Sequence, residues 1–129
     1  DGVEVSMGNP HFAIVIENAD FTVDGRAWQE VGAEICTHPD FANQTNVEFV
    51  RIVNAHQIEF RIFERGAGPT LSSGTGTCAA AVAAIAFNGC ASPLSVRSQG
   101  GAQTVTWEGP GAEIVLTGAA AMIAWGEAW

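Results

Sequence analysis

The stretch ERGAGPTLSSGTGTCAAAVAAIAF, residues 64–87, organises the whole chain. The charged pair Glu64-Arg65 reads as the end of a strand. A glycine-rich loop carrying several hydroxyl side chains follows, and it opens onto an alanine-rich helix that ends near Asn88-Gly89. A glycine loop entering a helix presents backbone N–H groups and the positive end of the helix dipole to an anion. It also places Ser73 where a nucleophile or proton-transferring base would stand. The helix is apolar nearly all round, so it belongs inside a curled sheet rather than on a surface.

Upstream, residues 46–53 and 57–65 alternate and read as a hairpin through Asn54-Ala55-His56. In its second strand Ile58, Phe60 and Ile62 share a face with Glu64, while Phe63 sides with Arg61 and Arg65. Residues 3–7 and 12–17 read as strands divided by the turn Gly8-Asn9-Pro10. Asp24 is a candidate N-cap for an amphipathic helix carrying Trp28, Val31 and Ile35 and stopping at His38-Pro39; residues 41–45 read as a loop. Downstream, strands are expected at 94–98, 103–107, 112–117 and 122–125, with turns at Gln99-Gly100-Gly101 and Glu108-Gly109-Pro110-Gly111. Mostly antiparallel strands with two helices make one α+β domain over residues 1–129, without linker or repeat.

Composition narrows the function. Hydrophobic residues make up 47% of the 129, enough for a folded core. No apolar run is long enough to span a bilayer, and Asp1 is followed by no basic-then-apolar leader, so a cytoplasmic location without membrane association is expected. A net charge of −9 with five Arg and no Lys leaves no basic patch for nucleic acid or an anionic membrane. Without Lys the chain cannot form a pyridoxal-phosphate Schiff base. Cys36, Cys78 and Cys90 read as reduced thiols, the last two as buried fillers flanking the helix. The glycine loop lacks the Gly-Lys-Ser/Thr ending of a nucleotide-binding P-loop. The three His have no metal-ligand spacing, and no nucleophile elbow is present. A Glu-Arg pair at a strand end is often only solvated surface. Here it leads directly into the loop, where Arg65 can pair with a substrate carboxylate and Glu64 can accept from an ammonium group.

Three ordered segments carry a resemblance: MGNPH at 7–11, NVEFV at 46–50 and ERGAGPTLSSGTGTCAAAVA at 64–83. With Gly101, Trp107 and Leu116-Thr117-Gly118, they resemble the C-terminal half of a diaminopimelate epimerase over nearly the whole chain. The resemblance implies a mostly antiparallel curled sheet around a central helix, in one of two pseudo-symmetric domains that hold the substrate between them. It implies cofactor-independent epimerisation of an amino acid, LL- to meso-diaminopimelate, in lysine and peptidoglycan precursor biosynthesis. Two cysteines, one per domain, act on opposite faces of the α-carbon. Carried over, Asn9 and Asn46 would hydrogen-bond the substrate, and His11 would shape the site. Glu64 and Arg65 would hold its ammonium and carboxylate groups. Gly74 and Thr75 would bind the reacting carboxylate through backbone N–H groups.

Two departures stand out. Ser73 occupies the place of the catalytic cysteine, and Pro69 stands where the family usually has Glu. A serine hydroxyl is far less acidic than a thiol and needs a neighbouring base. The chain also begins at the strand that joins the two domains, so the N-terminal domain and its cysteine are the expected missing partner, and this chain alone is expected to be inactive. The segment after Gly118 would pack across the domain boundary, leaving Trp125 and Trp129 exposed. Family members commonly dimerise, which leaves a homodimer open. A related racemase-like isomerase or dehydratase, and a non-catalytic binding domain of the same fold, are the competing readings.

Overall fold

The computed structural model describes residues 2–6, 10–17, 20–41, 44–70, 74–109, 113–117 and 122–127. The described elements run β1 (Gly2–Ser6), β2 (Pro10–Ile16), β3 (Thr22–Val23), β4 (Arg26–Ala27), α1 (Trp28–Cys36), β5 (Asn46–Asn54) and β6 (Gln57–Glu64). They continue β7 (Gly68–Thr70), α2 (Gly74–Phe87), β8 (Leu94–Ser98), β9 (Gly101–Thr106), β10 (Glu113–Thr117) and β11 (Met122–Glu127). The main sheet has the order β1-β2-β5-β6-β8-β9-β10-β11. Most pairs are antiparallel, but β2–β5 and β6–β8 are parallel. Each parallel pair needs a crossover, and the two helices supply them: α1 between β2 and β5, α2 between β6 and β8.

Strand alternation sorts the crossover helices to opposite faces. Even-numbered β6 residues Ile58, Phe60 and Ile62 join Val50, Ala13 and the α2 residues in one core cluster. Odd-numbered Val47, Phe49 and the half-buried Phe63 pack with Trp28, Val31 and Cys36 of α1 in a second cluster. Strands β1, β2, β5, β6, β8, β9 and β10 all touch α2, so the sheet curls around it. Every α2 residue from Gly76 to Ala84 is buried, which is why alanine dominates: larger side chains would not fit between helix and sheet. Gly89, at φ 77°, ends the helix, and the Cys90 N–H closes back on the Ala84 carbonyl at 3.1 Å. α1 reaches the sheet through Gly32, where a Cβ would lie 2.8 Å from Phe63 Cβ.

Two sequence expectations change. Asp24 is not a helix cap: the N-cap of α1 is Ala27, with no side-chain bond. Asp24 (φ 52°) and Gly25 (φ 79°) instead form the two-residue turn of the β3–β4 hairpin, since a turn of this hand needs positive φ at both positions. Residues 68–70, read as loop, form strand β7 against Ile62–Glu64 of β6. The turns read at Gly8-Asn9 and Pro110-Gly111, and the side chains of Trp125 and Trp129, lie outside the described residues. Among the described residues no helix is long and apolar enough to cross a membrane.

Candidate active site

Three neighbouring strands bring the sequence motifs into one row. His11 on β2 pairs with Asn46 on β5. Val47 pairs with Phe63, so one step further Asn46 stands opposite Glu64 at the end of β6. All three residues point to the face that carries α2, because paired residues share a face. The outer edge of β6 divides here: residues 57–59 pair with β8, whereas 62–64 pair with the short β7. Between these two partners, at residues 60–61, that edge of β6 has no paired strand among the described residues.

Helix α2 packs on the same face of the sheet as this row. Its C-terminus is tied to the β5–β6 turn, where the Ala91 N–H donates to the Ala55 carbonyl at 2.7 Å and Cys90 Sγ contacts the Asn54 carbonyl at 3.7 Å. Fourteen helical residues extend about 21 Å. Gly74 is exposed and Thr75 half-buried at the helix start. Thr77 is buried and donates its hydroxyl to Gln103 Oε1 on β9 at 3.0 Å, anchoring the first turn to the sheet.

Asn46 is buried and acts as a brace. Its Oδ1 accepts from the Arg65 N–H at 2.7 Å, and its Nδ2 donates to the Pro10 carbonyl at 3.3 Å. One side chain thus joins the entry to β2, the start of β5 and the exit from β6. The resemblance gave Asn46 a substrate contact. The structure shows it committing one donor and one acceptor to holding its neighbours in place. Arg65 is exposed and Glu64 half-buried at the mouth of the row.

Beneath the row lies a buried pair that sequence reasoning passed over. His11 Nδ1 is 2.6 Å from Glu48 Oε2, and both side chains are fully buried. Burial drives the Glu48 carboxyl above its ordinary value; the bond to His11 opposes this, and the charge of Glu64 adds to it. Among the described residues Glu48 Oε1 finds no hydrogen-bond partner. The signal was present within NVEFV: Glu48 lies on the alternation phase that also carries Val50, so a carboxylate points into an apolar core. Cys78 is also fully buried, and burial pushes its thiol up to about 12, so it is a core residue and not a thiolate at neutral pH. Cys90 is buried as well, and its thiol is raised for the same reason. Ser73 and Asn9 lie outside the described residues.

A family model described as diaminopimelate epimerase matches residues 3–123. Among curated relatives, the diaminopimelate epimerase of Aromatoleum aromaticum is 45% identical over 123 residues, covering 95% of this chain and 43% of that protein. The diaminopimelate epimerase of Pseudomonas fluorescens is 42% identical over 119 residues, covering 92% of this chain and 42% of that one. The chain thus spans well under half the length of the relatives it matches. Among solved structures, a PhzF-family phenazine biosynthesis protein from Enterococcus faecalis aligns with a TM-score of 0.61 at 20% identity, covering 84% of this chain and 36% of that one. A Bacillus anthracis protein of the PhzF family aligns at 0.60 with 17% identity, over 89% and 39%. These likenesses are of fold.

Proposed function

This chain belongs to the diaminopimelate epimerase family, and from that premise we propose that it is the C-terminal, substrate-holding half of such an epimerase. The observation that carries the reading is the row His11–Asn46–Glu64, set on the face of the sheet that carries α2. An amino acid placed there offers its ammonium group to Glu64 and a carboxylate to Arg65. The carboxylate of the reacting centre faces the N–H groups of Gly74 and Thr75. Donors aimed at that carboxylate stabilise the negative charge that grows as the α-proton leaves. The proton transfer uses no pyridoxal phosphate on this chain, which has no lysine to bind it.

Two-base inversion needs a group on each face of the α-carbon. Position 73 supplies one, and the complementary half of the family architecture supplies the other. With Ser73 in that place the acid/base is weak: a thiol ionises near pH 8.5, whereas a serine hydroxyl needs a base to activate it. Ser73 itself favours a second reading, a binding domain that keeps the row and has lost proton transfer. Hydrogen exchange separates the two. Ser73→Cys, given the complementary half, should exchange the α-proton of LL-diaminopimelate in deuterium oxide, followed by NMR. The unmodified chain alone should leave that signal intact. Exchange by the unmodified chain alone would show that no cysteine or second half is required. No exchange by the variant with its complement would leave the binding-domain reading.

A further inference from the structure

We propose that Glu48 is the positioning residue of His11: by holding Nδ1 from the core side, it turns the Nε2 edge of the imidazole toward the row formed with Asn46 and Glu64. Glu48 lies two residues along from that row, the next position on the same face, flanked by Ala13 on β2 and Ile62 on β6. The two nitrogens of an imidazole lie on different edges of the ring. Anchoring Nδ1 to Glu48 therefore directs Nε2 the other way, toward that row.

A carboxyl group in an alanine-lined core is costly unless it is employed. A packed apolar residue of similar volume is commonly as stable as a buried ionic pair, so stability alone does not account for Glu48. Its bond to His11 ties it directly to the candidate site. Few other ionisable groups bear on the pair. On this face β6 contributes Glu64, with Arg65 just beyond its end, and α2 carries only Cys78, which is held as a neutral thiol. β1 faces His11 with Val5. The burial of Glu48, and to a lesser degree the negative charge of Glu64, hold its carboxyl above the ordinary value. A ring held at Nδ1 by that carboxyl shows one tautomer rather than an average of tautomers.

That Nε2 serves a substrate rests on the epimerase reading; the orientation of the ring does not. His38 and His56 are exposed, so changing both to Gln leaves His11 as the only histidine signal. Long-range nitrogen–proton NMR of that protein, recorded at one fixed pH, should show a single tautomer with Nδ1 hydrogen-bonded. Tautomer averaging, or an Nδ1 without a hydrogen bond, overturns the proposal without any further variant. Glu48→Leu should release the ring into averaging, and Glu48→Gln, which can still hydrogen-bond Nδ1, should restore one state. An unchanged pattern in Glu48→Leu also overturns it. If that variant fails to fold, the unsubstituted ring and Glu48→Gln decide. Adding diaminopimelate should shift the His11 Nε2 signal together with the Arg65 amide. A moving Arg65 amide with a static Nε2 refutes the role toward substrate. If neither moves, the site reading fails, while the ring state still decides whether Glu48 positions His11.

Discussion

If Asn46 braces the site, removing its amide should loosen the three segments it joins. Asn46→Ala deletes two hydrogen bonds, a short one at 2.7 Å to the Arg65 N–H and a longer one at 3.3 Å from Nδ2 to the Pro10 carbonyl. Each contributes about 0.5–1.5 kcal/mol net. Arg65 is exposed, so water can replace the acceptor it loses. The expected loss is therefore about 1–3 kcal/mol, or roughly 1 M in urea midpoint. Trp107 and Trp28 are buried in the two separate core clusters, so tryptophan fluorescence follows both faces of the sheet at once. Asn46→Asp sharpens the test. It keeps an oxygen for Arg65 but replaces the donor to Pro10 with an acceptor, opposite Glu64. Burial and that neighbour raise the new carboxyl above its unfolded value of about 3.9. A group raised in the fold contributes fully below its unfolded pKa and loses that contribution as pH rises through the folded one. Asn46→Asp should therefore lie closer to wild type at pH 5 than at pH 8. An Asn46→Ala protein within about 0.5 kcal/mol of wild type, or an Asn46→Asp defect independent of pH, would refute the brace.

The remaining expectations concern packing, charge and binding. Gly32→Ala puts a methyl 2.8 Å from Phe63 Cβ, on the stem of the side chain rather than its tip, so α1 must move. Overpacking of this kind costs about 1–3 kcal/mol against a helix-propensity gain of about 1 kcal/mol; urea melts should show a net loss, and equal stability would contradict the close approach. Glu48 is raised above its usual value of 4.5, so its contribution is present below that value and lost as pH climbs through the folded pKa. Glu48→Gln should gain on wild type between pH 4 and 8, by about 1.4 kcal/mol per unit of elevation; a flat difference would mean that the carboxylate is fully compensated. Arg65→Ala should remove diaminopimelate binding measured by calorimetry, and unchanged affinity would take Arg65 out of the site.

Much of the fold was legible because it is local. The alternation over 46–53 and 57–65 yields β5 and β6 to within one residue. The apolar run after Gly74 could only be a buried helix. The β3–β4 hairpin was also legible: Asp24-Gly25 is a strong turn signal, but it was read as the approach to a helix. β7 was not legible, since Gly68-Pro69-Thr70 has little strand preference of its own and extends because β6 offers an open edge.

The sequence by itself determined the main-sheet strands other than β7, which helix is central, and which motifs mark the family. Tertiary structure alone decided that β2 runs parallel beside β5, and this pairing sets His11 level with Asn46 and Glu64. It also decided that Asn46 is a brace and that Glu48 meets His11 across 37 residues of chain. The physical reason is range. Side-chain periodicity and turn chemistry act over a few residues. Register between distant strands follows from how two crossover helices bury their apolar faces on opposite sides of one sheet, and no local pattern records that.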